Sequence, residues 1–191
     1  MQAVLQIDYN PERLKEGYQF LQKTKTGALH PGVDLNGGAY GSSDLGMDQC
    51  SPTDGKIILA SQNAGAGWGK LIVIESVPTL PFGQKWFRLA HWKDFNVKVG
   101  DETKMGQVIG HVGKTGTKSP HCHWEVLKKP LEDWTEYTNR WTPTKVLEYF
   151  EDPFAWLKRI NAYIPAIPKW AEKSVNKAKQ RNITDWSNPN E

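Results

Sequence analysis

From Cys50 onward the chain is written in short apolar runs separated by turn residues at roughly even spacing. Lys56–Ala60, Lys70–Glu75 and Trp86–Ala90 are rich in β-branched, aromatic or aliphatic side chains and bounded by Gly, Pro, Asn or Ser, a pattern that predicts strands. The four-residue aliphatic run Leu71-Ile72-Val73-Ile74 suits a buried strand. Val97–Gly110 holds two alternating runs joined by a turn and ends at a glycine, where backbones can pack closely. In Ser119–Val126, helical periodicity is missing and Trp124 and Val126 are strand formers. Strand alternation there places His121, His123 and Glu125 on one face, and Cys122, Trp124 and Val126 on the other. These runs predict a mainly β fold, an antiparallel sandwich or barrel.

Other segments flank that core. Ala3–Ile7 reads as a short strand, Pro11–Lys15 as helical turns capped by Asn10, and Tyr18 and Phe20 as the lead of an extended segment. Leu127–Asn139 mixes charges with Trp134 and Tyr137 and predicts an excursion over the surface. Thr142-Pro143 and Asp152-Pro153 are each a cap followed by proline at the first helical position, which predicts peripheral C-terminal helices at about Pro143–Phe150 and Pro153–Ala162. Val146, Leu147 and Phe150, then Phe154, Leu157 and Ile160, form the faces expected to dock on the sheet. The tail, Tyr163–Glu191, opens with prolines and carries five basic residues from Lys169 to Arg181, the pattern of a solvated terminal helix.

Composition narrows the picture. A length of 191 residues fits one domain with extensions, expected as a lead-in over 1–27, a domain over 28–160 and a basic extension over 161–191. The mean hydropathy of −0.61 is polar for a globular chain, but nine Trp and 17 Gly are unlike a disordered one, so the core is expected to lean on aromatic bulk. A net charge of +3 gives no argument for nucleic acid, and no apolar run approaches the roughly 20 residues of a membrane span. Met1–Phe20 lacks the basic start and apolar stretch of a secretory signal. Cys50 and Cys122 match no disulfide framework or zinc motif and are expected to be reduced. The chain is expected to act as a monomer.

The chemistry sits on histidines. In His30-Pro31-Gly32-Val33-Asp34 the Pro-Gly pair opposes a helix, and an extended chain turns His30, Gly32 and Asp34 the same way, with Gly32 leaving room between the side chains. His91 stands at a strand exit, where sites gather. His111 lies among small apolar residues with no partner at metal spacing and reads as ordinary. Hydrolytic zinc sites take three protein ligands and leave one position for water. His30, Asp34 and one of His121 or His123 supply such a set; the remaining histidine, with His91, would then serve as base or oxyanion partner.

In this order, His30-x-x-x-Asp34, Ala90-His91, Val99-Gly100-Asp101 through Gly106-Gln107-Val108-Ile109-Gly110, Gly113-Lys114-Thr115-Gly116 and His121-Cys122-His123-Trp124-Glu125 resemble the lysostaphin-type zinc endopeptidases that cut peptidoglycan cross-links. The resemblance covers about residues 28 to 126. It implies a duplicated hybrid motif fold, a β-sandwich or half-barrel core, with Zn2+ held by His30, Asp34 and His123 and with His91 and His121 as the catalytic pair. It also implies peptidoglycan as partner and the bacterial cell wall as place of action, reached as a bacteriophage lysin or as a processed bacterial autolysin. Glu125 is then placed behind the ligands. The sequence departs from the family at Cys122, where a larger apolar residue is usual. Tyr18 is the candidate for an upstream tyrosine that some members carry, and residues 127–139 and the tail have no counterpart.

Three other readings compete. Val97–Gly110 also resembles a biotinyl or lipoyl carrier hairpin, but it has no acceptor lysine in the hairpin motif, and a carrier has no use for His30 and Asp34. A cupin-like oxygenase wants a histidine after His123, and there is none. A non-catalytic wall-binding module with a structural zinc is the alternative function.

Overall fold

The computed structural model describes residues 17–36, 44–78 and 82–163. The expectations for Ala3–Ile7, Pro11–Lys15 and the basic tail beyond Tyr163 lie outside the described residues. The chain divides into one unit ending at Leu157 and a second starting at Lys158. Among the described residues, the first holds every strand, and of the second the described part is the end of one helix.

The fold is mainly β and antiparallel, as the turn spacing predicts. The strands are β1 (Val33–Leu35), β2 (Asp48–Cys50), β3 (Gly55–Ser61), β4 (Leu71–Ser76), β5 (Trp86–Ala90), β6 (Asp94–Phe95), β7 (Glu102–Thr103), β8 (Val108–His111), β9 (Cys122–Leu127) and β10 (Phe150–Glu151). A seven-stranded sheet runs β1-β9-β5-β4-β3-β7, and β10 also pairs with β9; a smaller sheet runs β2-β8-β6. The three early strand predictions hold to within a residue at each end.

β9 is the strand about which the larger sheet is arranged. β5 lies along one edge, Trp86 opposite Leu127 and Ala90 opposite His123. Along the other edge β1 pairs with Cys122–Trp124 and β10 with Val126–Leu127. All six residues of β9 are therefore buried, polar ones included. The two sheets are joined where Gln49 of β2, itself fully buried, donates from Nε2 to Cys122 Sγ at 2.8 Å. That contact accounts for the small residue in the middle of His-x-His. Both cysteines are buried and neither is in a disulfide, and burial holds the Cys122 thiol well above its ordinary pKa, so it stays protonated.

The core is aromatic, with Trp92, Trp124, Phe87 and Phe150 among its largest fully buried side chains. Both helices form where the Thr-Pro and Asp-Pro pairs predict them: α1 (Pro143–Tyr149) and α2 (Pro153–Tyr163). Thr142 caps α1 by accepting from Lys145 N, and Asp152 Oδ1 accepts from Phe154 N at 2.8 Å. Their docking faces need correcting. Leu147 is exposed, and Phe154 and Leu157 are only partly buried, whereas Trp156 is buried with ring centroids 4.9 Å from Phe87 and 6.1 Å from Trp124. Val146, Phe150 and Ile160 are buried as expected, and in α2 the buried residues are Pro153, Trp156 and Ile160, still at helical spacing but on a stripe turned away from Phe154 and Leu157. Trp156→Ala should therefore lower unfolding free energy by roughly 3–5 kcal/mol, while Leu147→Ala should change it by less than about 0.5 kcal/mol. Urea denaturation compares the two, and equal effects would contradict this packing.

Candidate active site

Strand register assembles the site. Asp34 on β1 and Ala90 on β5 both lie opposite His123 on β9, and Arg88 on β5 lies opposite Glu125. Directly opposed residues share a face, as do His123 and Glu125 two positions apart, so Asp34, His123, Glu125 and Arg88 come to one side. His30 precedes β1 and reaches the group through a bend at Pro31-Gly32. A Cβ on Gly32 would collide with Trp124 O and Glu125 Cγ. The room that Gly32 leaves is thus taken by β9, not shared between His30 and Asp34.

Three potential ligand atoms then form a nearly equilateral triangle. His30 Nε2 lies 3.0 Å from His123 Nδ1 and 3.1 Å from Asp34 Oδ1, and His123 Nδ1 lies 3.0 Å from the same oxygen. All three residues are buried, and they form a group able to hold a metal ion. The fit is good: a tetrahedral ion about 2.0–2.1 Å from each ligand needs ligand atoms roughly 3.3 Å apart. The donor set, two imidazoles and one carboxylate, suits zinc and leaves a fourth position open. His123 Nε2 is 2.9 Å from Glu125 Oε1, so this nitrogen carries the hydrogen and Nδ1 presents its lone pair to the triangle.

The charges agree with the geometry. Burial opposes ionisation of Asp34, but hydrogen bonds and charge from His123 and His30 outweigh it and hold the carboxyl far below the usual carboxylate range. Burial likewise opposes charge on His123, yet its bonds to Asp34 and Glu125 raise its pKa to about 9. Without an ion, a proton takes the favourable position between the two carboxylates. A metal must displace it, which makes affinity fall in acid.

His91 and His121 face this group from the other side, ring centroids 4.6 Å apart. His91 Nδ1 donates to Thr115 O and His121 Nδ1 to Ser119 O, each at 2.9 Å, because a carbonyl can only accept. Nε2 is therefore the lone-pair nitrogen of both neutral rings. Burial first, and then the neighbouring charges of His121 and His123, lowers the His91 pKa to about 3. Burial also lowers that of His121, whose Nε2 is 3.5 Å from Asp34 Oδ1. His91 has φ 68°, a left-handed conformation costly for a side-chain-bearing residue and typical of functional sites.

A cleft of about 290 Å³ opens over these groups, with Tyr18, Trp68, Gly116 and Tyr137 among its walls. The Tyr18 ring is 5.7 Å from His30, and its hydroxyl accepts from Lys25 N at 3.1 Å. His111 is not brought in. It sits half-exposed on β8 of the smaller sheet, paired with Asp94 and 3.6 Å from Asp48 on the flanking strands. Sequence reasoning misses Arg88, which is fully buried and pairs with Glu125. Its signal is a lone charge between Phe87 and Leu89 in an otherwise apolar strand.

The chain belongs to peptidase family M23, whose model matches residues 29–134, more than half of the sequence and a span containing His30, Asp34, His91, His121 and His123. It is 34% identical over 98 residues to the glycyl-glycine endopeptidase ALE-1 of Staphylococcus capitis, covering 49% of this chain and 26% of that protein. It is 33% identical over 98 residues to lysostaphin of Staphylococcus simulans, covering 49% of this chain and 19% of that protein. The chain thus spans about a quarter or less of these relatives' length. Among solved structures, lysostaphin from Staphylococcus simulans superposes with TM-score 0.54 at 26% identity, over 80% of this chain and 52% of the other. Its catalytic domain gives 0.52 at 25%, over 79% and 99%.

Imidazole titration by NMR checks the electrostatics. In metal-free protein, His123 should stay charged at pH 8 and His91 neutral at pH 5. The raised pKa of His123 contributes stability below about 6.5 that is lost as pH rises through about 9. The depressed pKa of His91 contributes stability above about 6.5 that is lost as pH falls toward about 3. Two rings titrating together near 6.5 would refute this environment.

Proposed function

We propose that this chain is a zinc-dependent endopeptidase that hydrolyses peptide bonds in the stems or cross-bridges of peptidoglycan. The observation that carries the reading is the triangle of His30, Asp34 and His123 with the imidazoles of His91 and His121 beside it, all lining one open cleft. The proposed peptidase domain is residues 28–160, with the basic segment 161–191 as an extension; the proposed setting is the bacterial cell wall, and the proposed state a monomer. Relatives named lysostaphin and glycyl-glycine endopeptidase make a glycine-containing cross-bridge the first substrate to test.

Zinc held by His30, Asp34 and His123 would supply a Lewis acid for the scissile carbonyl and bring the pKa of a bound water down to roughly 7. The protein's own part is proton movement and orientation. Nε2 of His91 or His121 accepts a proton from the attacking water, and the imidazolium so formed faces the developing oxyanion and can release its proton to the leaving amine. Their depressed pKa values keep both rings neutral at the start, with Nε2 open to accept. Thr115 O and Ser119 O hold the rings in the required tautomer.

Chelation should abolish peptidoglycan hydrolysis and zinc should restore it. His30→Ala and Asp34→Ala should lose bound metal, measured by elemental analysis, whereas His91→Ala should retain it and lose about 10²-fold or more in turnover. Unchanged hydrolysis in chelator would remove the metallopeptidase reading. Zinc retained by a wild-type protein that releases no fragments, checked by mass spectrometry across walls of different cross-link chemistry, would point to a binding module.

A further inference from the structure

The excursion after β9, expected as plain surface, is fastened to the wall of the cleft. Trp68 Nε1 donates to Thr135 O at 2.9 Å, and Arg88 Nη1 donates to Trp134 O at 3.1 Å and Glu136 O at 3.2 Å. The Tyr137 ring packs against Trp68 with centroids 5.4 Å apart, over Gly67, where any Cβ would run into it. Tyr137 remains 48% exposed and lines the cleft together with Thr138. The segment therefore presents an aromatic side chain to whatever enters, just beyond the stretch that matches the family model.

The same arginine reaches the metal side. Arg88 Nε pairs with Glu125 Oε2, and Glu125 Oε1 accepts from His123 Nε2. The guanidinium lies 4.4 Å over the Trp68 ring, so it is held from below by a π face and at its edges by a carboxylate and two carbonyls. Only a planar fork serves both directions at once; a lysine ammonium reaches one or the other.

We infer that Arg88 is a positioning residue that sets the His123 imidazole and the Trp134–Tyr137 wall together, and that Tyr137 is a substrate-contacting residue on that wall for an extended peptide. This rests on the metallopeptidase reading for its substrate, but not for its mechanical content.

Arg88→Lys keeps the charge and removes the fork. It should weaken zinc binding about 10-fold or more in competition with a chromophoric chelator, speed amide exchange over residues 133–140, and raise KM for a soluble cross-bridge peptide several-fold. Tyr137→Ala should raise KM similarly with zinc affinity and kcat as in wild type, and adding it to Arg88→Lys should raise KM no further. Trp68→Phe, which removes the bond to Thr135 O and shrinks the ring beneath Arg88 and beside Tyr137 and His123, should speed exchange over the same residues. Weakened zinc with unaltered exchange and KM overturns the inference, as does a lower melting temperature with zinc affinity and KM unchanged. If Arg88→Lys does not fold, Glu125→Gln takes its place: weaker zinc with faster exchange over 133–140 supports the link, and weaker zinc alone refutes it. Absence of hydrolysis by the wild type would sink the peptidase reading, while zinc affinity and amide exchange, which need no turnover, still decide this one.

Discussion

A carboxylate removed from water is costly unless donors or positive charge surround it, and Asp34 is 7% exposed. It stays ionised because His30 and His123 face the same oxygen at 3.1 and 3.0 Å. Everything else in the larger sheet is consistent with keeping those three groups in place. β9 is fixed by β5 on one edge and by β1 and β10 on the other, and a slip of one residue would turn His123 to the opposite face. Stability of the sheet and geometry of the site are therefore one constraint.

From Asp34 the pairing continues inward with alternating sign, through His123 and Glu125 to Arg88. Each member is buried and pairs with the next, with Arg88 Nη2, at the inner end, left without a hydrogen-bond partner among the described residues. Burial alone would neutralise Glu125, but Arg88 and His123 hold it ionised, with a pKa lowered to about 2. The line ends at main-chain carbonyls and at an aromatic ring, which hold the last positive charge in place. A buried network of this kind is costly when half made and rigid when complete.

Much of this is legible in the chain. Turn spacing marks the strands, the Thr-Pro and Asp-Pro pairs mark both helix starts, and alternation groups His123 with Glu125. His121 is grouped with them too; it lies just before β9, its ring fixed by Ser119 O, and still borders the cleft. What is not legible is non-local. Nothing in the order of residues says that β1 and β5 flank β9, so Arg88 opposite Glu125 cannot be foreseen. Helix phase is misread at Leu147 and Trp156 because the period allows more than one apolar stripe, and only the docking surface selects the one through Pro153, Trp156 and Ile160. The 127–139 segment looks like bare surface because its apolar residues, Leu131, Trp134 and Tyr137, are scattered among charges without a period, and the carbonyls that bind Trp68 and Arg88 leave no trace in side-chain pattern. The choice between His121 and His123 as ligand likewise comes from resemblance, since spacing treats them alike.

His91 carries a consequence of its own. Its left-handed backbone, at φ 68°, is a conformation that glycine adopts freely and that disfavours other residues by about 1–2 kcal/mol. An imidazole at this corner of β5 is thus a residue the local fold would not choose. Drift toward stability alone would tend to erase it, so its persistence in a lineage would measure how strongly that lineage needs the chemistry and not merely the scaffold.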